Sequence, residues 1–500
     1  MSGPICTAVR RHAAESPTAP ALMGAGVTLD YAGLWAEVVW IAEEIAARQP
    51  RVLALRLDNG PAWAVVDLAA QWAGVTVVPL PPFFSRAQVE HVCRDAGVDA
   101  LLMDAAADPA WLAQGPASDS VTVCGARCRW QRLPQEDPRC DLDGIAKVTY
   151  TSGTTGAPKG VMLAEITLAA VAESLVTAAA ATADDRHLCL LPLGVLLENV
   201  AGFYAPLMVG ATAIIPPLAG VGVRGAAGLD PRTMVAALRQ WRATTAITLP
   251  QTLQGIVEAL EQGAARPVDL RFLAVGGAPV SPQLLQRARS AGLPVYEGYG
   301  LSECGSVVAL NTPGHHCLGS VGRPLPHVGV AIAADGEILV TGELFAGYLG
   351  AGPRRAAPGT WATGDLGHLD AQGFLHVTGR KKSLLITSFG RNVAPEWVER
   401  ELALAPAIAQ VAVFGEGRPW NAAVVTIAPG HDVTAVDRAI AQTNATLPDY
   451  ARIRRWISAA EPFTPANGLL TGTGRLRRAA ILIAYEGALA ALYQEESLAR

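Results

Sequence analysis

The sequence predicts an α/β protein built as a large N-terminal domain of parallel βαβ subdomains plus a small β-barrel-like subdomain, followed by an α+β C-terminal domain. Three observations carry this expectation. Short apolar runs of strand type alternate with segments of helical spacing, the pattern of parallel βαβ units. Near Gly322 the texture changes to short strands between glycine turns. After the basic run Gly379-Arg380-Lys381-Lys382 a compact tail mixes helix and strand signals. The boundary is placed at that run, giving domains 1–381 and 382–500.

Taken in order, Arg51–Leu57 reads as a strand, Ala62–Trp72 as a helix and Val75–Leu80 as a strand. Ala87–Ala96 is a helix and Ala100–Met103 a strand. The alternation resumes with helix Met234–Arg242, strand Thr245–Leu249, helix Leu253–Gln262, strand Phe272–Val275, helix Pro282–Ala291 and strand Val295–Tyr296. Val328–Ile332, Glu337–Val340, Gly367–Leu369 and Phe374–Val377 are the short strands of the barrel-like part. The tail contains helix Ala394–Leu404, strands Ile408–Phe414 and Ala422–Ile427, and helix Thr434–Asn444. Ligands of such sheets bind at the carboxyl ends of strands, so glycine-rich segments just after strands are where function is sought.

Bulk properties exclude several classes. The 500 residues are 51% hydrophobic, enough for a large core, and the formal net charge is −5. Nothing is basic enough to make nucleic acid or an anionic membrane the main partner. Met1–Pro20 lacks the apolar core of a secretory signal. The longest apolar stretch, Leu188–Val223, is broken by Glu198, Asn199 and prolines, so it reads as core or pocket wall and not as a transmembrane segment. A cytoplasmic protein is expected. The eight cysteines are scattered; Cys124, Cys128 and Cys140 lack zinc-finger spacing, which leaves buried free thiols. His315-His316 reads as a loop pair.

The most informative run is Tyr150-Thr151-Ser152-Gly153-Thr154-Thr155-Gly156-Ala157-Pro158-Lys159-Gly160. Glycines let backbone N–H groups approach anionic oxygens, the hydroxyls add donors, and Lys159 adds a positive charge. That combination suits a polyphosphate. It is not a Walker loop, because Ala157 and Pro158 separate Gly156 from Lys159, and Gly160 stands where a magnesium-binding hydroxyl is required. Two more segments follow strands, Gly276-Gly277-Ala278-Pro279 and Glu297-Gly298-Tyr299-Gly300-Leu301-Ser302-Glu303.

Together with Thr363-Gly364-Asp365, the Gly379–Lys382 run and Gly390-Arg391-Asn392-Val393, these segments resemble the motifs of the acyl-adenylate-forming superfamily, which includes acyl-CoA synthetases and the adenylation domains of peptide synthetases. The resemblance covers nearly the whole chain and is strongest to long-chain acyl-CoA synthetases. It implies ATP and Mg2+ as cofactors, a small carboxylic acid as substrate, and CoA or the phosphopantetheine of a carrier protein as acceptor. It implies that Thr151–Gly156 and Lys159 wrap the phosphates, with Lys159 on the β- and γ-phosphates. Gly276, Gly277, Ala278 and Pro279 face the adenine side, with Glu297 and Gly298 beside them. Tyr299 offers a face for adenine stacking, Gly300 belongs to the same ATP site, and Ser302 donates to the α-phosphate. Glu303 is a hard oxygen ligand for magnesium. Asp365 accepts the ribose hydroxyls, with Arg380 nearby, and Lys382 marks a hinge about which a mobile C-terminal domain turns.

The chain departs from the family pattern in three places. Relatives carry a catalytic lysine on a Gly-Lys turn, whereas Phe463–Arg475 places Arg475 there, and no lysine follows Lys382. Arginine keeps the charge but differs in length, planarity and hydration. Arg475 either performs adenylation with altered geometry, leaves it slow or partner-dependent, or marks a repurposed nucleotide- or acyl-adenylate-binding protein. In Leu191-Pro192-Leu193-Gly194-Val195 the residue Val195 replaces a gating histidine. With Leu196, Glu198, Asn199 and Gly276 it is expected to line an apolar acyl pocket, for a fatty or aryl acid. Glu165 stands where a histidine often follows the phosphate loop, with little effect expected.

Overall fold

The computed structural model describes residues 3–106, 119–134, 142–151, 159–224, 228–351, 359–471 and 474–497. They form two compact units. The first comprises residues 1–278, 286–330 and 340–361, and the second 279–285, 331–339 and 362–500.

Two large sheets organise the first unit. One has nine strands, and its centre is parallel: Pro20–Gly24, Thr212–Ile214, Arg186–Leu188, Thr245–Thr248, Phe272–Val275 and Val295–Tyr299 pair in that spatial order. The other has eight strands. Thr76–Pro79, Val52–Arg56 and Ala100–Asp104 are parallel neighbours at its centre, Ile145–Thr151 joins Thr76–Pro79 in parallel, and the flanking pairs are antiparallel. The parallel strands are almost continuously apolar because both faces are covered. Leu53, Ala54, Leu55, Val77 and Val78, for example, have no exposed surface. Helices Pro61–Trp72 and Arg86–Asp95 lie where the apolar spacing placed them. Ser85 caps the second with a reciprocal Gln88 bond, satisfying N–H groups that the helix cannot.

The second unit contains a share of a four-stranded sheet, in which Trp361–Leu369 and Leu375–Arg380 run antiparallel with Asp365 opposite Arg380. Its tail has a three-stranded sheet, with Ile408–Phe414 antiparallel and Ile453–Ser458 parallel to Asn421–Ile427. Helices Pro395–Leu402, Val433–Thr446 and Arg478–Ser497 accompany it. The mixed α/β class with a smaller barrel-like sheet and an α+β tail is the one expected. The seven described cysteines are free thiols. No helix among the described residues is long and apolar enough to cross a membrane.

Candidate active site

The phosphate-type run is the connection of a β-hairpin. Strands Ile145–Thr151 and Lys159–Ala164 pair antiparallel, with Thr151 opposite Lys159 and Tyr150 opposite Gly160. Ser152, Gly153, Thr154, Thr155 and Gly156 lie outside the described residues. Lys159, at the start of the returning strand, is exposed. A second partner, Gly347–Tyr348, pairs with the same strand and sets Tyr348 opposite Val161.

The other two motifs of the first unit sit side by side in the nine-stranded sheet. Val275 is in register with Glu297 on the adjacent parallel strand. A Cβ on Gly276 would lie 3.1 Å from the Gly298 carbonyl oxygen, so the two backbones nearly touch. Gly277 and Ala278 are exposed beyond the strand end, and exposed Pro279 opens the first segment of the second unit. Glu297 is buried, and its carbonyl accepts both the backbone and side-chain N–H of Asn311. Beyond half-buried Tyr299 the chain doubles back. A Cβ on Gly300 would stand 1.7 Å from the Ser306 carbonyl oxygen, so only glycine fits. That tight return, with a 3-10 turn over Ser302–Cys304, sets the directions of Ser302 and Glu303.

One residue joins the motifs of the two sheets. Tyr348 donates its hydroxyl to Glu303 Oε1 at 2.6 Å, and its ring lies beneath the Lys159 ammonium, 5.5 Å from Nζ to the centroid. Phe345 and Trp361 hold that ring edge-on at 5.1 and 6.0 Å. The Phe345 N–H also donates to the Glu303 carbonyl at 2.9 Å. The structure therefore brings Lys159 and Glu303 to one place through a tyrosine the motif analysis did not single out. Its only sequence signal is an aromatic directly after Gly347.

Of the residues expected at the acyl pocket, Val195, Leu196, Glu198 and Asn199 lie around one helix start. Half-buried Val195 and buried Leu196 precede a π-helix, Glu198–Tyr204. Glu198 and Asn199 are buried, and their polar groups bond to neighbouring strands and helices. Glu198 accepts from the Leu191 N–H at 3.0 Å and lies 3.0 Å from His187 Nε2, with no exposed surface. The Asn199 carbonyl meets Lys147 Nζ at 2.5 Å. Lys147 is completely buried and also reaches Asp67 and Tyr204, each at 2.8 Å. The Tyr204 hydroxyl in turn donates to Asp67. Burial holds the lysine below its ordinary pKa, against the pull of Asp67. A buried carboxylate and amide must find donors and acceptors nearby, and here strands and helices supply them.

In the second unit Asp365 is 5% exposed, and its carboxylate accepts from Arg380 Nε at 2.7 Å. The turn carrying it is clamped: the Gly364 N–H donates to Glu337 at 2.8 Å, the Lys381 N–H donates to the Gly364 carbonyl at 2.8 Å, and Lys381 Nζ bonds Asp335 and Glu337 at 2.5 and 2.9 Å. Bonds to both carboxylates raise the Lys381 pKa. The neighbouring Lys382 is exposed. Arg475 is exposed on a braced turn, where its N–H donates to Thr471 Oγ1 at 3.0 Å and its carbonyl accepts from the Thr471 N–H at 2.8 Å.

Comparison with known proteins gives the family. Residues 9–349 match the family of AMP-binding enzymes, and residues 382–497 match the C-terminal domain of AMP-binding enzymes. The chain is 26% identical to a long-chain-fatty-acid–CoA ligase, FadD15, of Mycobacterium bovis, with 93% of each chain covered. It is 29% identical to a feruloyl-CoA synthase of an Amycolatopsis species, covering 93% of this chain and 97% of the relative. Among solved structures, the anthranilate CoA ligase AuaEII with anthranoyl-AMP shares the fold at TM-score 0.79 and 17% identity, covering 97% and 98% of the two chains. The o-succinylbenzoate CoA synthetase MenE of Bacillus subtilis does so at TM-score 0.76 and 24% identity, covering 94% and 97%. The chain belongs to the AMP-binding enzyme family, within the acyl-adenylate-forming superfamily that its motifs resemble.

Proposed function

We propose that the protein is an AMP-forming acid–thiol ligase that activates an apolar carboxylic acid, fatty or aryl, and transfers the acyl group to CoA. The observation that carries this reading is that Lys159 and Glu303 both meet Tyr348, a cation beside a hard oxygen ligand, the pair a magnesium-bound polyphosphate requires. The substrate carboxylate attacks the α-phosphorus of ATP and pyrophosphate leaves. The acceptor thiolate then attacks the acyl carbonyl of the acyl-AMP, and AMP leaves. In the first step two anions must meet, so neutralisation and alignment are the main tasks of the site. Glu303 fits magnesium by its donor chemistry, and the ion when bound neutralises phosphate oxygens.

The remaining roles follow the motifs. Thr151–Gly156 and Lys159 hold the phosphates, while Gly276–Pro279, Glu297, Gly298 and Tyr299 receive adenine. Gly300 and Ser302 approach the α-phosphate, and Asp365 with Arg380 takes the ribose. Val195, Leu196 and Gly276 supply apolar surface for the acid. The relatives that cover most of this chain carry CoA ligase or CoA synthase names, which favours CoA over a carrier-protein phosphopantetheine. Exposed Arg475 supplies the charge that a lysine provides in relatives, and Lys382 serves as the hinge.

Acid-dependent ATP–pyrophosphate exchange tests the proposal. Exchange is expected with fatty or aryl acids, and trapping the acyl-AMP identifies the acid by mass. Arg475→Ala is expected to slow exchange about 10²-fold while leaving thioester formation from supplied acyl-AMP. A protein that binds ATP but exchanges with no acid tested sinks the ligase reading. It then favours a repurposed nucleotide-binding protein, the reading that the arginine at position 475 also suits. Arg475→Lys separates an impaired catalyst, which gains rate, from a site adapted to arginine, which loses it.

A further inference from the structure

We propose that Tyr348 is a positioning residue for magnesium–ATP: it holds the Glu303 carboxylate toward the ligand and keeps the Lys159 ammonium from closing on it. The inference rests on the ligase reading for what the two groups bind. Lys159 comes from one sheet and Glu303 from the other, and opposite charges converging on one ligand attract each other when that ligand is away. One ring engages both. Its negative face seats the Lys159 ammonium at 5.5 Å. Its hydroxyl donates to Glu303 Oε1 at 2.6 Å, a bond strengthened by the acceptor's charge. The ring itself has little freedom. Phe345 and Trp361 pack against it edge-on. Strand pairing fixes its main chain, with the Leu349 N–H donating to the Gly160 carbonyl at 2.8 Å. The Phe345 N–H bond to the Glu303 carbonyl ties the same segment to the glutamate's backbone.

Calorimetric titration of the full chain with ATP, in magnesium and in EDTA, tests this without turnover. Tyr348→Phe keeps the ring and the lysine seat but deletes the hydroxyl. Its expected effect is an about tenfold loss of the affinity that magnesium adds, with metal-free affinity and melting temperature unchanged. Because Tyr348 acts through Glu303, Tyr348→Phe is expected to add nothing in a Glu303→Gln background. The proposal is overturned if Tyr348→Phe titrates like wild type in magnesium, or if its loss persists undiminished beside Glu303→Gln. A wild-type chain to which magnesium adds no ATP affinity overturns it too. Failure of the ligase reading looks different: magnesium–ATP binding with the expected Tyr348 dependence, and no acid-dependent exchange.

Discussion

Two lysines on one hairpin have opposite surroundings. Lys147, on the strand Ile145–Thr151, has no exposed surface and meets Asp67, Asn199 and Tyr204. Lys159, at the start of the partner strand, is exposed and rests over the face of Tyr348. An ammonium has three N–H donors. Lys147 spends all three on fixed acceptors, so it can only hold structure. A ring face accepts no directed bond, so the seat of Lys159 locates its charge without consuming its donors. Location and saturation, and not the residue type, separate the buried lysine from the exposed one.

Breaking the saturated side should have the largest effect. Lys147→Met leaves Asp67 buried without its counter-charge and is expected to cost about 3–5 kcal/mol of unfolding free energy. Denaturant titration measures this, and a loss below about 1 kcal/mol would remove the contrast. On the exposed side, Lys159→Ala should leave stability within about 0.5 kcal/mol and lower pyrophosphate exchange about 10²-fold. Full exchange in that variant would show that the charge faces no ligand.

An intermediate case is the half-exposed Lys381, held by Asp335 and Glu337. Glu337→Gln keeps an acceptor for the Gly364 N–H but weakens the ion pair, loosening the turn that carries Asp365. KM for ATP should rise about two- to threefold at low salt, and the difference should shrink as salt is added. A salt-independent change would mean that the clamp is not electrostatic. The smallest effect concerns Glu165, whose carboxyl burial pushes up to about 7. One of its oxygens meets no hydrogen-bond donor among the described residues. Between the ordinary carboxyl value of 4.5 and about 7, the unfolded chain releases this proton before the folded one does. Stability contributed by this group therefore falls as pH rises through that window and levels off above it. In melting-temperature profiles Glu165→Gln should lack this fall and run parallel to wild type above pH 7. Parallel profiles throughout would refute it.

What was legible in the sequence was local. Phe272–Val275, Val328–Ile332 and Ile408–Phe414 match their expected bounds, because a buried strand is a short apolar run ended by turn residues. Tyr299–Glu303 could be recognised because the chain doubles back within a few residues of Gly300. Long-range partnerships left no such trace. Lys147 interrupts an apolar strand, and its partners Asp67, Asn199 and Tyr204 come from two distant segments. Nothing in the neighbours of Glu198 and Asn199 announces the π-helix that begins there or the partners it reaches. Tyr348 reaches Glu303 only through a two-residue strand that pairs with Lys159–Ala164. Helix Glu165–Ala178 is apolar on most of its faces, so its sequence carries little amphipathic signal.

The hairpin origin of the phosphate-type loop also governs how this segment can vary. Side chains alternate between faces along a strand, so one added residue in the returning strand would turn buried Val161, Met162 and Leu163 toward the opposite faces. It would also move Gly347–Tyr348 out of step with the residues it now pairs. A change of length inside Lys159–Ala164 would therefore disturb both of its sheet partners at once.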